Sequence, residues 1–279
     1  MRDTQGMTEP TRPFAHVDES PEDVRKGMLD YLDAAAAHPE IQRVRADALE
    51  ALAPAAGQRL LDAGCGAGEV ARLLRRLVGP AGAVTALDFS KEYVAAAAAR
   101  HDGDPVDYVV GDITALDFPD GHFDGVRSER VLQHLDDPDA AIRELARVTR
   151  PGGTVCVIDT DWASLLFDGV DEAVVDELVT TIAGTGLWRN ARMGRSLRGR
   201  MVRAGLRDVD TLPVTLRFTE ADSAASVLPL VNRRFATPLA GMLPERLVTA
   251  FHDTVDASVA RGDFLAAFTM WITVGHVFS

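Results

Sequence analysis

Three glycines at alternate positions, Gly64, Gly66 and Gly68, sit between the apolar run 59–63 and an amphipathic stretch from Val70 to Val78. A strand that runs into a helix through such a loop presents the helix's free N–H groups to a ligand. Glycine there allows φ > 0 and close approach of backbone to that ligand. The spacing narrows the ligand further. A dinucleotide loop, G-x-G-x-x-G, places its third glycine where the pyrophosphate meets the helix, and that position here is Glu69. A carboxylate repels phosphate, so the loop suits a nucleotide-like cofactor that carries none.

Further strand ends carry acids in order. The run 83–88 is apolar and closes on Asp88, 88 − 68 = 20 residues beyond the last glycine, the distance at which a strand-end acid binds ribose hydroxyls. Tyr108-Val109-Val110-Gly111-Asp112-Ile113 follows, then Phe123-Asp124-Gly125-Val126-Arg127-Ser128-Glu129, then Arg150-Pro151-Gly152-Gly153 ahead of Thr154-Val155-Cys156-Val157-Ile158-Asp159. From about Ala48 to about Trp162 this ordered series resembles the class I S-adenosylmethionine (SAM)-dependent methyltransferases.

The resemblance implies a site for SAM, with S-adenosylhomocysteine (SAH) as product. It would be built from the loop Asp62, Ala63, Gly64, Cys65, Gly66 and Gly68, with Asp62 helping to hold the methionine amino group. Asp88 would take the ribose diol. Phe89 would pack on the adenine face or in the core, and Gly111, Asp112 and Ile113 would meet the adenine edge, unless Asp112 is a turn or cap carboxylate. Ser128 and Glu129 would complete the cofactor site. Arg45, twelve residues before Gly57, would bind the methionine carboxylate or stand in solvent.

Alternation of strands and helices predicts an α/β fold, a Rossmann-like sheet of seven mostly parallel strands with helices on both faces. Residues 1–52 read as a flexible arm (to Pro21) and a helical lid, Pro21 to Ala37 and Ile41 to Leu52, broken at His38-Pro39. Residues 53–162 form the cofactor-binding core. In the remainder, 163–279, the pattern predicts helices over 161–185, 195–204 and 220–261 and strands over 206–218 and 264–274; the insertions would shape a substrate pocket. Arg233-Arg234 and the arginines of 189–203 fit an anion pocket or a solvated helix face.

Composition removes several functions. A net charge of −13 and a pI near 4.9 argue against a nucleic-acid surface. No run approaches eighteen apolar residues and the N-terminus lacks a signal-peptide core, so no membrane partner and a cytoplasmic location are expected. Cys65 and Cys156 have neither metal-ligand nor disulfide spacing. Arginine outnumbers lysine heavily and alanine runs abound, a bias expected of a GC-rich bacterial genome. The methyltransferase resemblance implies a small-molecule methyl acceptor of the specialised-metabolite class, with O, C or N receiving the methyl group, and a chain that acts as a monomer or homodimer.

Methyl transfer needs a nucleophile in line with an already activated methyl group; a base is optional. His134, just past the fourth strand, is the candidate base, and Tyr31 in the lid is its candidate partner, since a His and a lid tyrosine work together in some enzymes that this chain resembles. Packing roles for both remain open. Two other classes stay in view: a dinucleotide oxidoreductase, disfavoured by Glu69, and a SAM-binding cyclase or rearrangement enzyme of the same fold.

Overall fold

The computed structural model describes residues 17–100, 103, 105–185, 189–233 and 243–278. Most of the N-terminal arm, residues 1–16, lies outside them, as does Arg234. Helix α1 (Glu22–Ala37) stops at His38, held extended before a proline. Helix α2 (Pro39–Leu52) then begins with Pro39 in its first turn, and His38 Nδ1 accepts from Glu40 N at 3.2 Å. The core follows as β1 (Arg59–Ala63), α3 (Glu69–Val78), β2 (Ala83–Asp88), α4 (Lys91–Ala99), β3 (Asp107–Val110), β4 (Phe123–Glu129), α5 (Pro138–Val148) and β5 (Thr149–Asp168). After it come α6 (Glu172–Thr185), α7 (Met193–Arg203), β6 (Arg207–Phe218), α8 (Ala221–Ala225), α9 (Glu245–Arg261) and β7 (Leu265–His276).

The strand order is β3-β2-β1-β4-β5-β7-β6, with β7 antiparallel to both its neighbours and the remaining pairs parallel. Chain order reverses at β1 and β4, the switch point beyond whose carboxyl ends open α/β sheets bind ligands. Side chains alternate between faces. Leu60, Cys156 and Ile158 pack against apolar residues of α2, α3 and α9, whereas Leu61, Val126, Val155 and Val157 pack against α5 and α7. Both faces are therefore covered, as the strands' apolar character requires.

Two sequence expectations change. Strand β5 continues past Asp159 to Asp168, and Leu166, Phe167 and Asp168 pair with Ala267, Ala266 and Leu265 after a register shift. Pairing with β7 overrides the helical composition of 161–168, so α6 begins only at Glu172. Among the described residues of 220–261 the helical expectation holds over α8 and α9, and Pro229 and Pro244 lie outside both. The predicted lid also divides: Ile41, Val44, Ala48 and Leu52 of α2 are buried in the main core, so α2 is a structural helix of the sheet. Only α1 lies apart, its Met28, Tyr31 and Ala35 forming a small cluster with Val17 and Tyr93.

Candidate active site

The glycine loop is tied to the end of β2. Gly64 N and Cys65 N both donate to Leu87 O (2.7 and 2.9 Å), and Gly66 N donates to Asp88 Oδ2 at 2.8 Å. Gly64 has φ 83°, and a Cβ there would meet Val131 Cγ2 at 2.1 Å, so the loop after β4 closes directly onto it. Asp88 also accepts from Ser90 N at 3.0 Å, and burial pushes its carboxyl above the usual range.

A chain of buried charges lies beneath the loop. Asp62 and Arg127 are register partners on β1 and β4, and Arg127 Nη1 donates to Asp62 Oδ1 at 2.9 Å. Arg127 Nη2 donates to Glu129 Oε2 at 2.6 Å, Arg45 Nε donates to both Glu129 oxygens (3.2 and 3.0 Å), and Arg45 Nη1 reaches Glu69 Oε2 at 3.0 Å. Burial alone would raise the Glu129 carboxyl; Arg45, Arg127 and Arg130 hold it well below its ordinary value. Asp62 is pushed upward, chiefly by burial against the pull of Arg127, and its Oδ2 is buried with no hydrogen-bond partner.

A cavity of about 510 Å³ opens over this network. Its lining includes Gly64, Cys65, Gly66, Asp88, Phe89 and Ile113 together with Arg130, His134, Leu135, Trp162 and Pro229, and Tyr31 and Leu32 of α1. Arg130 has φ 56°, a left-handed conformation costing a non-glycine residue roughly 1–2 kcal/mol. Trp162 Nε1 donates to Gln133 Oε1 at 2.8 Å, and Gln133 Nε2 lies 3.1 Å from His134 Nε2. Burial, aided by the Arg130 charge, pushes the His134 imidazole down to about 4.

Asp62, Gly64, Cys65, Gly66, Asp88, Phe89, Gly111, Asp112, Ile113 and Glu129 all line the cavity, as do Arg45, Tyr31 and His134. Three residues assigned to the cofactor from the sequence do not. Ala63 is buried in the sheet on the α5 face. Ser128 is fully buried and, between Arg127 and Glu129, faces away from the network. Gly68, at φ 76°, begins α3 where a Cβ would meet Ala97 Cβ and the Tyr108 hydroxyl, each at 2.9 Å; its requirement is packing.

Other roles shift in detail. Arg45 is not solvated, and its guanidinium is engaged by two carboxylates. Asp112 Oδ1 accepts from Thr114 N and Oγ1 (2.8 and 2.7 Å), a local turn at the cavity edge. Tyr31 donates its hydroxyl to Val227 O at 2.7 Å, which fastens α1 over the cavity. Burial raises both thiols, that of Cys156 to about 12, so neither is a nucleophile at neutral pH. Among the described residues no group of three or more His, Cys, Asp or Glu is arranged to hold a metal ion, and no helix is long and apolar enough to cross a membrane. Arg233 pairs with Asp256 (2.6 Å), away from the cavity.

Sequence reasoning passed over Arg127, Arg130, Gln133 and Trp162. A signal existed for the first: an arginine in the middle of a strand at the centre of the sheet, two residues from Glu129, is a charge that must be paired when buried.

Residues 61–157 match the family model for a methyltransferase domain. An uncharacterized 37.1 kDa protein in transposon Tn4556 of Streptomyces fradiae is 34% identical over 249 residues, 89% of this chain and 71% of that protein. The 2-phytyl-1,4-naphtoquinone methyltransferase of Synechocystis sp. is 38% identical over 107 residues, 37% of this chain and 45% of the enzyme, so the match spans less than half of that relative. Among solved structures, the [4+2]-cyclase SpnF shares the fold at a TM-score of 0.53 and 24% identity, over 85% of this chain and 82% of SpnF.

Proposed function

Since this chain belongs to the class I SAM-dependent methyltransferases, we propose that it transfers the methyl group of SAM to an O, C or N atom of a small molecule bound beside Arg130, His134 and Trp162. The observation that carries this reading is a single cavity lined both by the glycine loop and Asp88 and by Arg130, His134 and Trp162. A buried acceptor atom without a partner, Asp62 Oδ2, fits an ammonium group, and the Gly64–Gly66 turn fits a ligand approaching backbone closely. Asp88 would hold the ribose hydroxyls, Ile113 and Phe89 the adenine, and Asp62 the methionine amino group. When bound, SAM supplies a methyl carbon already activated by a sulfonium.

The protein's task is then to bind, orient and exclude water. Tyr31 and Leu32 border the cavity from α1, and Trp162, stacked on Phe268 at a centroid distance of 5.4 Å, forms a rigid wall. The fold also serves a cyclase, so consumption of the methyl group is the point to test. Incubation with methyl-labelled SAM and a panel of phenols, carboxylic acids and amines should give labelled product and equimolar SAH. Product formed from the acceptor without SAH would favour a rearrangement instead.

A further inference from the structure

Arg130 combines three observations that the methyl-transfer reading leaves unused. The first is its backbone. Two other described non-glycine residues have positive φ, and each has a local reason: Ala53 caps α2, and Asp208 lies where the register of β6 against β7 shifts. Arg130 is neither a helix cap nor a bulge. Its left-handed turn lets its N–H donate to Ile158 O at 2.8 Å while the residue lines the cavity.

The second is its charge. Of the three arginines lining the cavity among the described residues, Arg45 and Arg127 stand within 3.2 Å of carboxylates. Glu129 already receives Arg45 Nε on both oxygens, Arg45 Nη2 on Oε1 and Arg127 Nη2 on Oε2. Arg130 Nε lies 3.6 Å from Glu129 Oε1, ion-pair range but too long for a hydrogen bond, and the Arg130 side chain also hydrogen-bonds the Tyr31 hydroxyl, a neutral partner that leaves the positive charge without a close carboxylate. The acids at the same end are engaged elsewhere: Asp136 pairs with Arg189, and Asp137 accepts from Ala140 N to cap α5. The Arg130 side chain is only 15% exposed, so its donors are largely withdrawn from water.

The third is the state of its neighbour. An indole N–H can only donate, so Gln133 Oε1 is the acceptor for Trp162 and the Gln133 NH₂ faces His134 Nε2. That nitrogen must accept, which places the imidazole proton on Nδ1 and engages the lone pair a general base would use. An acceptor that had to lose a proton would find this group occupied. One that arrives ionised has no such need.

We propose that Arg130 is a specificity-determining residue that binds an organic oxyanion, a carboxylate, phenolate or enolate, so that the methyl acceptor is an acidic small molecule ionised at neutral pH. This rests on the methyltransferase reading above. The oxyanion of a carboxylate or phenolate donates an oxygen lone pair, or an enolate its carbon–carbon π pair, to the methyl carbon as the carbon–sulfur bond breaks and its electron pair stays on sulfur; on these routes the bound acceptor loses no proton.

The test is calorimetric titration of the SAH-loaded protein with benzoate and with its neutral isostere benzamide. Wild type should bind benzoate in the millimolar range, about tenfold or more tighter than benzamide, and Arg130→Gln should erase that preference while holding SAH within about twofold. Arg130→Gly, which relieves the strained backbone, provides the same comparison if Arg130→Gln does not fold. Equal binding of benzoate and benzamide, no benzoate binding, or a preference that survives loss of Arg130 would overturn the proposal. A large loss of SAH affinity in both variants would overturn it in favour of Arg130 holding the methionine carboxylate. Failure of wild type to bind SAH would instead overturn the reading of the site, and this proposal with it.

Discussion

Arg127 and Asp62 face each other at matched register on adjacent strands and form an ion pair at 2.9 Å, each side chain no more than 4% exposed. Pairs of this kind are weak evidence for stability as a whole, yet removing one partner strands a buried charge. Arg127→Leu should therefore destabilise the protein by about 3–5 kcal/mol, read as a shift in urea midpoint. Asp62→Asn combined with Arg127→Leu should cost less than the sum of the single changes. An Arg127→Leu midpoint equal to wild type would show that solvent reaches the network.

Asp88 is the residue on which cofactor affinity should depend most. Losing a charge-assisted hydrogen bond to a ribose diol costs on the order of 2–3 kcal/mol, so Asp88→Ala should weaken SAH binding by tens of fold. Ser128→Ala, on the opposite face of β4, should bind SAH as wild type does. Equal losses in the two variants by calorimetry would remove the assignment of Asp88.

The His134 imidazole titrates in the folded protein near 4, below the value of 6.5 for an unperturbed histidine. Folding thus expels a proton between these values. The stability this group contributes is fully present above about pH 6.5 and is lost as pH falls through 4. Nuclear magnetic resonance of the His134 ring protons should show that low midpoint, and Arg130→Gln should raise it, because burial and the Arg130 charge are its two causes. A midpoint near 6.5 in wild type would contradict the described burial.

The N-terminal latch gives a further expectation. Asp18 accepts from Ser90 Oγ (2.5 Å), Lys91 N (2.9 Å) and Glu92 N (3.3 Å), capping α4 beside Asp88, and Arg100 pairs with Asp33 of α1. Asp18→Ala should cost about 1 kcal/mol, the usual worth of an N-cap. It should speed hydrogen exchange in α1 while α2, buried in the core, keeps the protection of the sheet. Equal acceleration in both helices would mean that they open together.

Much of this architecture was legible because its signals are local. Short strand-like runs closing on Asp62, Asp88 and Glu129 mark strands whose carboxyl ends meet at one edge, and Glu69 distinguished the loop from a dinucleotide site. Elements decided by distant pairing were not legible: β5 beyond Asp159 is a strand only because β7 lies beside it. Within the site, Gly68 and Ser128 follow the cofactor pattern in sequence, but their roles come from Tyr108 on one side and the far face of β4 on the other. No local signal marks the positive φ of Arg130 or the Trp162–Gln133–His134 contacts, which join residues up to 29 positions apart. The two halves of the predicted lid look alike in sequence, and only burial separates α2 from α1.

The most direct test of the central claim is titration of the full chain with SAM and with SAH by isothermal calorimetry. One site per chain is expected for each ligand, with binding sharply weakened by Asp88→Ala. Absence of binding by the folded wild-type protein, or binding indifferent to Asp88, would contradict the account.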